Sequence, residues 1–185
     1  MSRRGSRGTQ PSAARRATAA IGTAIFFAVA PGVVAGLGPW LVTGYEFEEP
    51  LPFWLPLRIA GGILVAGGLL ALIASFVRFV VEGIGTPAPV APTESLVIGG
   101  LYRYVRNPMY VAVGAIIVGQ ALLFGQLGLL LYAGAFFAAV GSFVLLYEEP
   151  VLEDQFGSQY DAYRRAVPAW WPRRHPWNPE EATRD

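Results

Sequence analysis

Charged and aromatic side chains occur at two places in the sequence that a helical hairpin would bring together. They are Tyr102, Arg103, Tyr104, Arg106 and Tyr110 at the first place, and Glu148 and Glu149 at the second. The stretch from 109 to 146 between them has no formal charge. Opposite charges and aromatic rings would therefore meet at one membrane surface, as in a ligand-binding site. The alternative is that these residues only anchor helix ends among lipid headgroups.

Composition limits the chemistry that such a site could perform. The chain has no cysteine and a single histidine, His175. Disulfides, thiolate nucleophiles and thiolate metal sites are excluded, and a histidine-based metal centre is not expected. The formal net charge of +1 provides no field for gripping nucleic acid. We therefore predict neither a metal nor a nucleic-acid partner, and we interpret His175 as a surface residue.

Long apolar segments predict an all-α, polytopic membrane protein with about four transmembrane helices. Hydrophobic residues make up 54% of the chain and charged residues 15%. A helix needs about 20 apolar residues to cross a bilayer. The predicted spans are 17–42, 57–81 and the two arms of a hairpin at 109–147, which divides near Gly125 and Gly128. Residues 1–16 are predicted to form a basic, disordered arm, and 17–42 a retained span rather than a signal peptide.

Two features of the predicted helices concern how they pack. Pro31 and Gly32 are expected to kink the first span, which requires neighbouring groups to satisfy the freed carbonyl. Gly61, Gly62, Gly67 and Gly68 would allow a close approach of the second span to another helix. Alternatively, they reflect only the abundance of glycine in membrane helices.

The polar segment after Tyr147 is predicted to be an interfacial tail. Ser158 followed by Asp161 resembles a capping pattern for a short helix, with Tyr160, Tyr163 and Val167 on one face. Trp170 and Trp171, beside Arg173 and Arg174, suit a segment lying on headgroups. The basic residues of the N-terminal arm, of 82–108 and of the tail share one side, which the positive-inside rule assigns to the cytosol. Both termini would then be cytosolic.

The sequence also contains separated motifs in a fixed order. L-Y-R-Y-V-R-N-P-M-Y at 101–110 precedes the hairpin, and E-E-P-x-L-x-x-x-F-G-x-x-Y-x-x-Y from Glu148 and a V-P pair follow it. This arrangement resembles the isoprenylcysteine carboxyl methyltransferase family and the related phospholipid methyltransferases, from Glu94 to Pro172. The resemblance implies an integral membrane S-adenosylmethionine-dependent methyltransferase that acts on a lipophilic or amphiphilic small molecule at the cytosolic face. Residues 82–185 would be the methyltransferase core, and 17–81 two additional helices.

The resemblance also implies which residues bind S-adenosylmethionine. By position they are Tyr102, Asn107, Pro108, Met109, Tyr110 and Glu148, with Glu94, Ser95, Leu96 and Val97 as further contacts. Aromatic faces attract a sulfonium cation, and a buried carboxylate accepts hydrogen bonds from amines or hydroxyls. Of the two glutamates, Glu148 is expected to face the bundle and Glu149 to face away. Arg103 and Arg106 are interpreted as phosphate or topology anchors, and no catalytic base is assigned.

Two departures from the family pattern concern the methyl acceptor. Asn107 stands where the isoprenylcysteine enzymes usually have histidine, and Val144 stands at the position of their substrate-binding arginine. Valine cannot pair with a substrate carboxylate. The alternatives are therefore a phospholipid amine N-methyltransferase, or a non-catalytic membrane protein for binding or assembly. A reductase of the sterol type would need a nicotinamide cofactor, for which the sequence has no glycine-rich fingerprint.

Overall fold

The computed structural model describes residues 29–83 and 95–178. Within these ranges all regular structure is helical, in agreement with the predicted fold class. The predicted basic arm 1–16, the first part of the predicted span 17–42 and Glu94 lie outside the described residues. The helices are α1 (Val29–Thr43), α2 (Leu55–Gly83), α3 (Pro108–Phe124), α4 (Gly128–Phe156) and α5 (Ser158–Ala166).

The helices α2 and α4 are each long and apolar enough to cross a membrane, whereas α1, as described, and α3 are shorter apolar helices. The count of four spans stays a prediction. The division of the hairpin is confirmed, because α3 ends at Phe124 and α4 begins at Gly128. Gly125 ends α3 with φ of +76°, a conformation that glycine adopts without strain. A reversal this tight places the start of α3 and the end of α4 at the same end of the bundle, called here the site end.

The buried face of α2 is a stripe of residues spaced seven apart, and it begins with the residue just before the helix. These residues are Trp54, Gly61, Gly68 and Ser75. The neighbour is α3, which is buried on most of its circumference. A Cβ atom at Gly61 would lie 2.6 Å from the carbonyl oxygen of Gly119. The predicted close approach is therefore made by Gly61 and Gly68, while Gly67 has nothing within 4 Å.

Substitution of Gly61 by alanine should lower the free energy of unfolding by about 1–3 kcal/mol, the usual cost of overpacking. The added methyl group meets the backbone of α3, which cannot move aside as a flexible side chain could. Gly62→Ala is the matched control, because its Cβ meets only Leu123 Cδ1 at 4.0 Å. Denaturant titration in mixed micelles measures both. Equal stability of the two variants would contradict a tight α2–α3 crossing at Gly61.

Two π-helical turns each lie one residue before a proline, and in both cases the helix continues past that proline. One is Val33–Leu37, where Gly38 N–H donates to Val33 O ahead of Pro39. The other is Val144–Glu148, where Glu149 N–H donates to Val144 O ahead of Pro150. Proline has no N–H, and its ring crowds the carbonyl four residues earlier. The wider turn makes room for the ring, so each helix continues beyond its proline.

Three successive carbonyls of the first π turn accept hydrogen bonds from side chains outside α1. Tyr132 donates to Val34 O at 2.8 Å, Gln120 Nε2 to Ala35 O at 2.7 Å, and Tyr45 to Gly36 O at 2.7 Å. These carbonyls lie just before Pro39, which has no N–H to offer them. The carbonyl four residues before Pro31 lies outside the described residues, so the expectation about it stays a prediction. The irregular turn directly follows the Pro31-Gly32 pair. The bonds from Gln120 and Tyr132 fix α1 against the hairpin.

The site end is covered by a cap formed by the connector 95–107, the end of α4, α5 and the tail 167–178. Tyr160, Tyr163, Val167 and Trp177 form its buried core, with Leu96, Ile98, Leu152 and Phe156 packed around them. The predicted shared face of Tyr160, Tyr163 and Val167 is therefore confirmed. The predicted cap at Ser158 is wrong: Gly157, at φ +50°, precedes the first turn, and Ser158 is already helical.

Candidate functional site

Tyr110 and Glu148 meet at the site end. Tyr110 lies in the first turn of α3. Pro108 is the first residue of this helix, a position where the N–H that proline lacks would have no partner within the helix. Glu148 ends the π turn of α4. The Tyr110 hydroxyl donates to Glu148 Oε2 at 3.2 Å. The hairpin thus brings together two residues that are 38 positions apart in the chain.

A cavity of about 300 Å³, called here the site cavity, opens between α1, α2, α3 and α4 beneath this pair. Six of the residues named from the resemblance line it, namely Tyr102, Asn107, Pro108, Met109, Tyr110 and Glu148. The rest of the wall is mostly apolar and includes Val34, Leu72, Phe79, Phe136 and Val140. The site cavity therefore has a polar end at the connector and an apolar end among the helices.

A smaller cavity of about 70 Å³, the inner cavity, lies on the cap side of the same residues. It shares Phe79, Tyr102, Arg106, Asn107 and Glu148 with the site cavity. Its other lining residues are Leu96, Val97, Val144, Glu149, Leu152, Tyr160 and Tyr163. The shared residues thus form a wall that both cavities contact.

The segment 95–97 reaches this region only in part. Leu96 and Val97 line the inner cavity, whereas Ser95 lines neither cavity and donates instead to the carbonyl of Glu82 at the end of α2. Val144 lines the inner cavity as a buried apolar residue. Val144, the position at which the resemblance implied a substrate-binding arginine in related enzymes, therefore provides no charge here.

The expectation that Glu149 faces away from the bundle is wrong, since only 8% of its surface is exposed. Arg106 NH1 donates to Glu149 Oε1 at 2.7 Å and to the Tyr160 hydroxyl at 3.0 Å. Arg164 also pairs with Glu149, at 3.4 Å. Adjacent helical residues point about 100° apart, so both glutamates can flank the connector. In contrast, Glu148 forms no ion pair within the described ranges 29–83 and 95–178.

Both connector arginines have protein partners, which the interpretation of Arg103 and Arg106 as phosphate or topology anchors did not include. Arg106 is largely buried in its ion pair with Glu149, and Arg103 Nε donates to the carbonyl of Trp177 at 2.6 Å. The tail runs along the connector, where Arg106 N–H donates to Pro168 O and Asn107 N–H to Ala169 O. These bonds hold the residues of the shared wall in place. Sequence reasoning missed them because nothing in the local pattern pairs 103–107 with 168–177.

Trp170 and Trp171 have different surroundings, although both were expected on headgroups. The Trp170 ring lies 6.5 Å from the Tyr110 ring and 6.3 Å from the Phe137 ring, measured between centroids. It therefore covers the seam between α3 and α4 next to the site cavity. Trp171 is 81% exposed. His175 is exposed, as predicted.

Two buried donors of the shared wall have no hydrogen-bond partner among the described residues. They are Arg106 Nε and Asn107 Nδ2. A buried N–H without a partner costs about 1–3 kcal/mol, so such groups suit a site where a ligand supplies the acceptor. These two donors suit the acceptor oxygens of S-adenosylmethionine. The Glu148 carboxylate suits its amine and hydroxyl donors, and the faces of Tyr102 and Tyr110 suit its sulfonium cation. The residues present therefore fit this cofactor.

The hydroxyls of Tyr102 and Tyr163 remain protonated at neutral pH, because burial raises the pKa of each. Burial raises the pKa of Tyr102 well above its usual range, and the nearby Tyr163, Glu148, Tyr110 and Glu82 raise it further. Burial likewise raises the pKa of Tyr163, although Arg106 opposes the shift. The Tyr163 hydroxyl donates to Tyr102 O at 2.7 Å. This neutral hydrogen bond joins α5 to the connector within the cap.

The sequence profile of the phospholipid methyltransferase family matches residues 57–159, more than half of the 185-residue chain. The chain belongs to this family. The match begins within α2, earlier than the resemblance at Glu94 predicted, and it includes the connector, the hairpin and both glutamates. No curated protein and no solved structure gives a significant match. Together with the apolar helices α2 and α4, membership makes the protein a membrane methyltransferase.

Proposed function

We propose that the chain is an S-adenosylmethionine-dependent methyltransferase that methylates the amine of a membrane lipid. The observation that carries the proposal is Glu148, a carboxylate in the wall of a largely apolar cavity that forms no ion pair with any described residue. A negative charge in such surroundings needs a cation to balance it. A sulfonium and a lipid ammonium are both cations, and both would be attracted to this end of the cavity.

The cofactor, when bound, supplies a methyl group on a good leaving group, so alignment of the acceptor contributes most of the acceleration. The aromatic faces of Tyr102 and Tyr110 attract positive charge, worth about 0.5–2 kcal/mol each. Glu148 is the acidic side chain among the described residues that line the site cavity. A neutral amine nitrogen is the nucleophile, so an ammonium group must first lose a proton, which Glu148 is positioned to accept. Tyr102, Tyr110 and Glu148 would hold the cofactor, which would supply the methyl group that this nitrogen accepts.

Two observations favour an amine over a prenylcysteine carboxylate as acceptor. Val144 is buried and apolar where the isoprenylcysteine enzymes have an arginine. A carboxylate acceptor would also lie beside Glu148 and be repelled by it. An ammonium would be attracted by the same residue. The apolar end of the site cavity, between α1, α2 and α4, suits the acyl chain of a lipid that arrives laterally from the membrane.

The proposal places the site end at the cytosolic surface, with a multi-pass chain and both termini on that side. Arg78, Arg103 and Arg106 lie at the site end, in α2 and in the connector. Glu46, Glu48 and Glu49 belong to the loop between α1 and α2, at the opposite end. This charge asymmetry follows the positive-inside rule.

Calorimetric titration of the purified protein with S-adenosylhomocysteine tests cofactor binding, and transfer of labelled methyl groups tests the reaction. We expect saturable binding, and label in phosphatidylethanolamine from a total lipid extract. Label in a farnesylcysteine probe but not in lipid would replace the amine acceptor by a carboxylate. If a well-folded protein bound neither S-adenosylmethionine nor S-adenosylhomocysteine, the chain would be a non-catalytic member of the family.

A further inference from the structure

Two neighbouring side chains of the connector present N–H groups that no described residue accepts. Arg106 Nε and Asn107 Nδ2 are both buried, and both residues line the site cavity and the inner cavity. Asn107 is only 9% exposed. Arg106 NH1 is held by Glu149 Oε1 and by the Tyr160 hydroxyl, so the guanidinium is fixed and its Nε–H has a set direction. The Arg106 donor is thus preorganised, and the Asn107 donor belongs to the adjacent residue in the same shared wall.

The N-terminus of α3 lies at the same place. Asn107 immediately precedes the helix, and its side chain makes no capping hydrogen bond. The residues of the first helical turn, Pro108, Met109 and Tyr110, line the site cavity. Backbone N–H groups at a helix start lack partners within the helix, and the helix dipole adds positive potential there. Such an end attracts a carboxylate or phosphate oxygen.

We propose that Arg106 Nε, Asn107 Nδ2 and the N-terminus of α3 form an oxyanion site for the negative end of a zwitterionic ligand. The positive end of that ligand lies beside Glu148. This inference rests on the proposed function and adds a binding role for Arg106, a residue outside the set implied by the resemblance. Two ligands of the proposed reaction carry the required chemistry: the α-carboxylate and ammonium of the methyl donor, and the phosphodiester and amine of a phospholipid acceptor.

The two sources are distinguished by ligand pairs that differ in the oxyanion. S-Adenosylhomocysteine has an α-carboxylate, whereas 5′-methylthioadenosine lacks the amino-acid part. Phosphatidylethanolamine has a phosphate, whereas oleylamine is a long-chain amine without one. Arg106→Lys keeps the positive charge that pairs with Glu149 but removes the guanidinium Nε–H donor. Asn107→Leu keeps the approximate side-chain volume but removes the amide N–H donors. Arg165→Lys, an exposed arginine of α5, is the matched control.

Equilibrium binding in detergent gives an affinity ratio within each ligand pair. If the donor carboxylate binds here, Arg106→Lys and Asn107→Leu should each lower the S-adenosylhomocysteine to methylthioadenosine ratio by about 10- to 100-fold, as for loss of a charge-assisted hydrogen bond. If the lipid phosphate binds here, the phosphatidylethanolamine to oleylamine ratio should fall instead by the same factor. Each ratio is taken within one variant, so a partly unfolded preparation does not change it.

The oxyanion site would be overturned if both ratios kept their wild-type values in both variants while the wild-type protein bound S-adenosylhomocysteine. A wild-type protein that bound neither adenosine ligand would overturn the proposed function as well. Arg165→Lys should leave both ratios unchanged. A similar fall in this control would show that the effect of an arginine-to-lysine exchange is not specific to position 106, and it would also overturn the site.

Discussion

Replacement of Glu148 by glutamine should reduce the affinity for S-adenosylhomocysteine about 10- to 100-fold and bring labelled methyl transfer close to background. Glutamine keeps the size of the side chain and still accepts the hydrogen bond of Tyr110, which lies 3.2 Å away in the wild type. What is lost is the negative charge in the wall of the site cavity. Charge-assisted hydrogen bonds contribute about 1.5–3 kcal/mol, which sets the expected factor.

The matched control is Glu153→Gln, which removes the same charge from the same helix. Glu153 is more than half exposed, pairs only with Arg164 among the described residues, and lines neither cavity. Calorimetry and methyl transfer should leave this variant at the wild-type level. If Glu148→Gln bound S-adenosylhomocysteine as tightly as Glu153→Gln, Glu148 would be removed from the site.

Replacement of Glu149 by leucine should lower the free energy of unfolding by about 3–5 kcal/mol, the largest stability effect expected in the chain. The reason is not the lost attraction alone. Arg106 would remain buried with a charge that no longer has its partner at 2.7 Å. Denaturant titration in mixed micelles gives the loss, with helical content followed by circular dichroism.

A double substitution separates the buried charge from the lost packing. In Arg106→Met with Glu149→Leu, both charges are replaced by apolar groups, which is often neutral for a buried pair. We expect this variant to recover most of the stability lost in Glu149→Leu. The exposed pair Arg164–Glu153 is the reference, since Glu153→Leu should cost at most about 1 kcal/mol. A Glu149→Leu variant as stable as Glu153→Leu would contradict the buried ion pair.

Local sequence patterns predicted the helices and the pair at the centre of the site. The charge-free stretch 109–146 and its glycines determined the hairpin, since few other arrangements satisfy apolar helices of that length. The hairpin then had to bring Tyr110 to Glu148. Tyr160, Tyr163 and Val167 could likewise be placed on one face, because spacing alone defines the face of a short helix.

Contacts between distant segments could not be predicted in the same way. The ion pair of Arg106 with Glu149 requires α4 to continue through Pro150 by way of a π turn. A proline in the sequence does not by itself say whether a helix ends there or continues through such a turn. The hydrogen bonds of the tail to residues 103–107 join irregular segments, which have no periodicity to read. For this reason the sequence suggested phosphate or topology anchors at Arg103 and Arg106 and did not predict their protein partners.

The buried stripe of α2 has a consequence for how this helix can change during evolution. Its large aliphatic side chains outside the stripe, among them Ile63, Leu70 and Ile73, are exposed in the fold. Hydrocarbon tails accept any apolar side chain of similar character, so exchanges among these residues are nearly neutral. Related chains can therefore diverge rapidly over most of α2 and still retain the same crossing with α3, provided that small residues are kept at 61, 68 and 75.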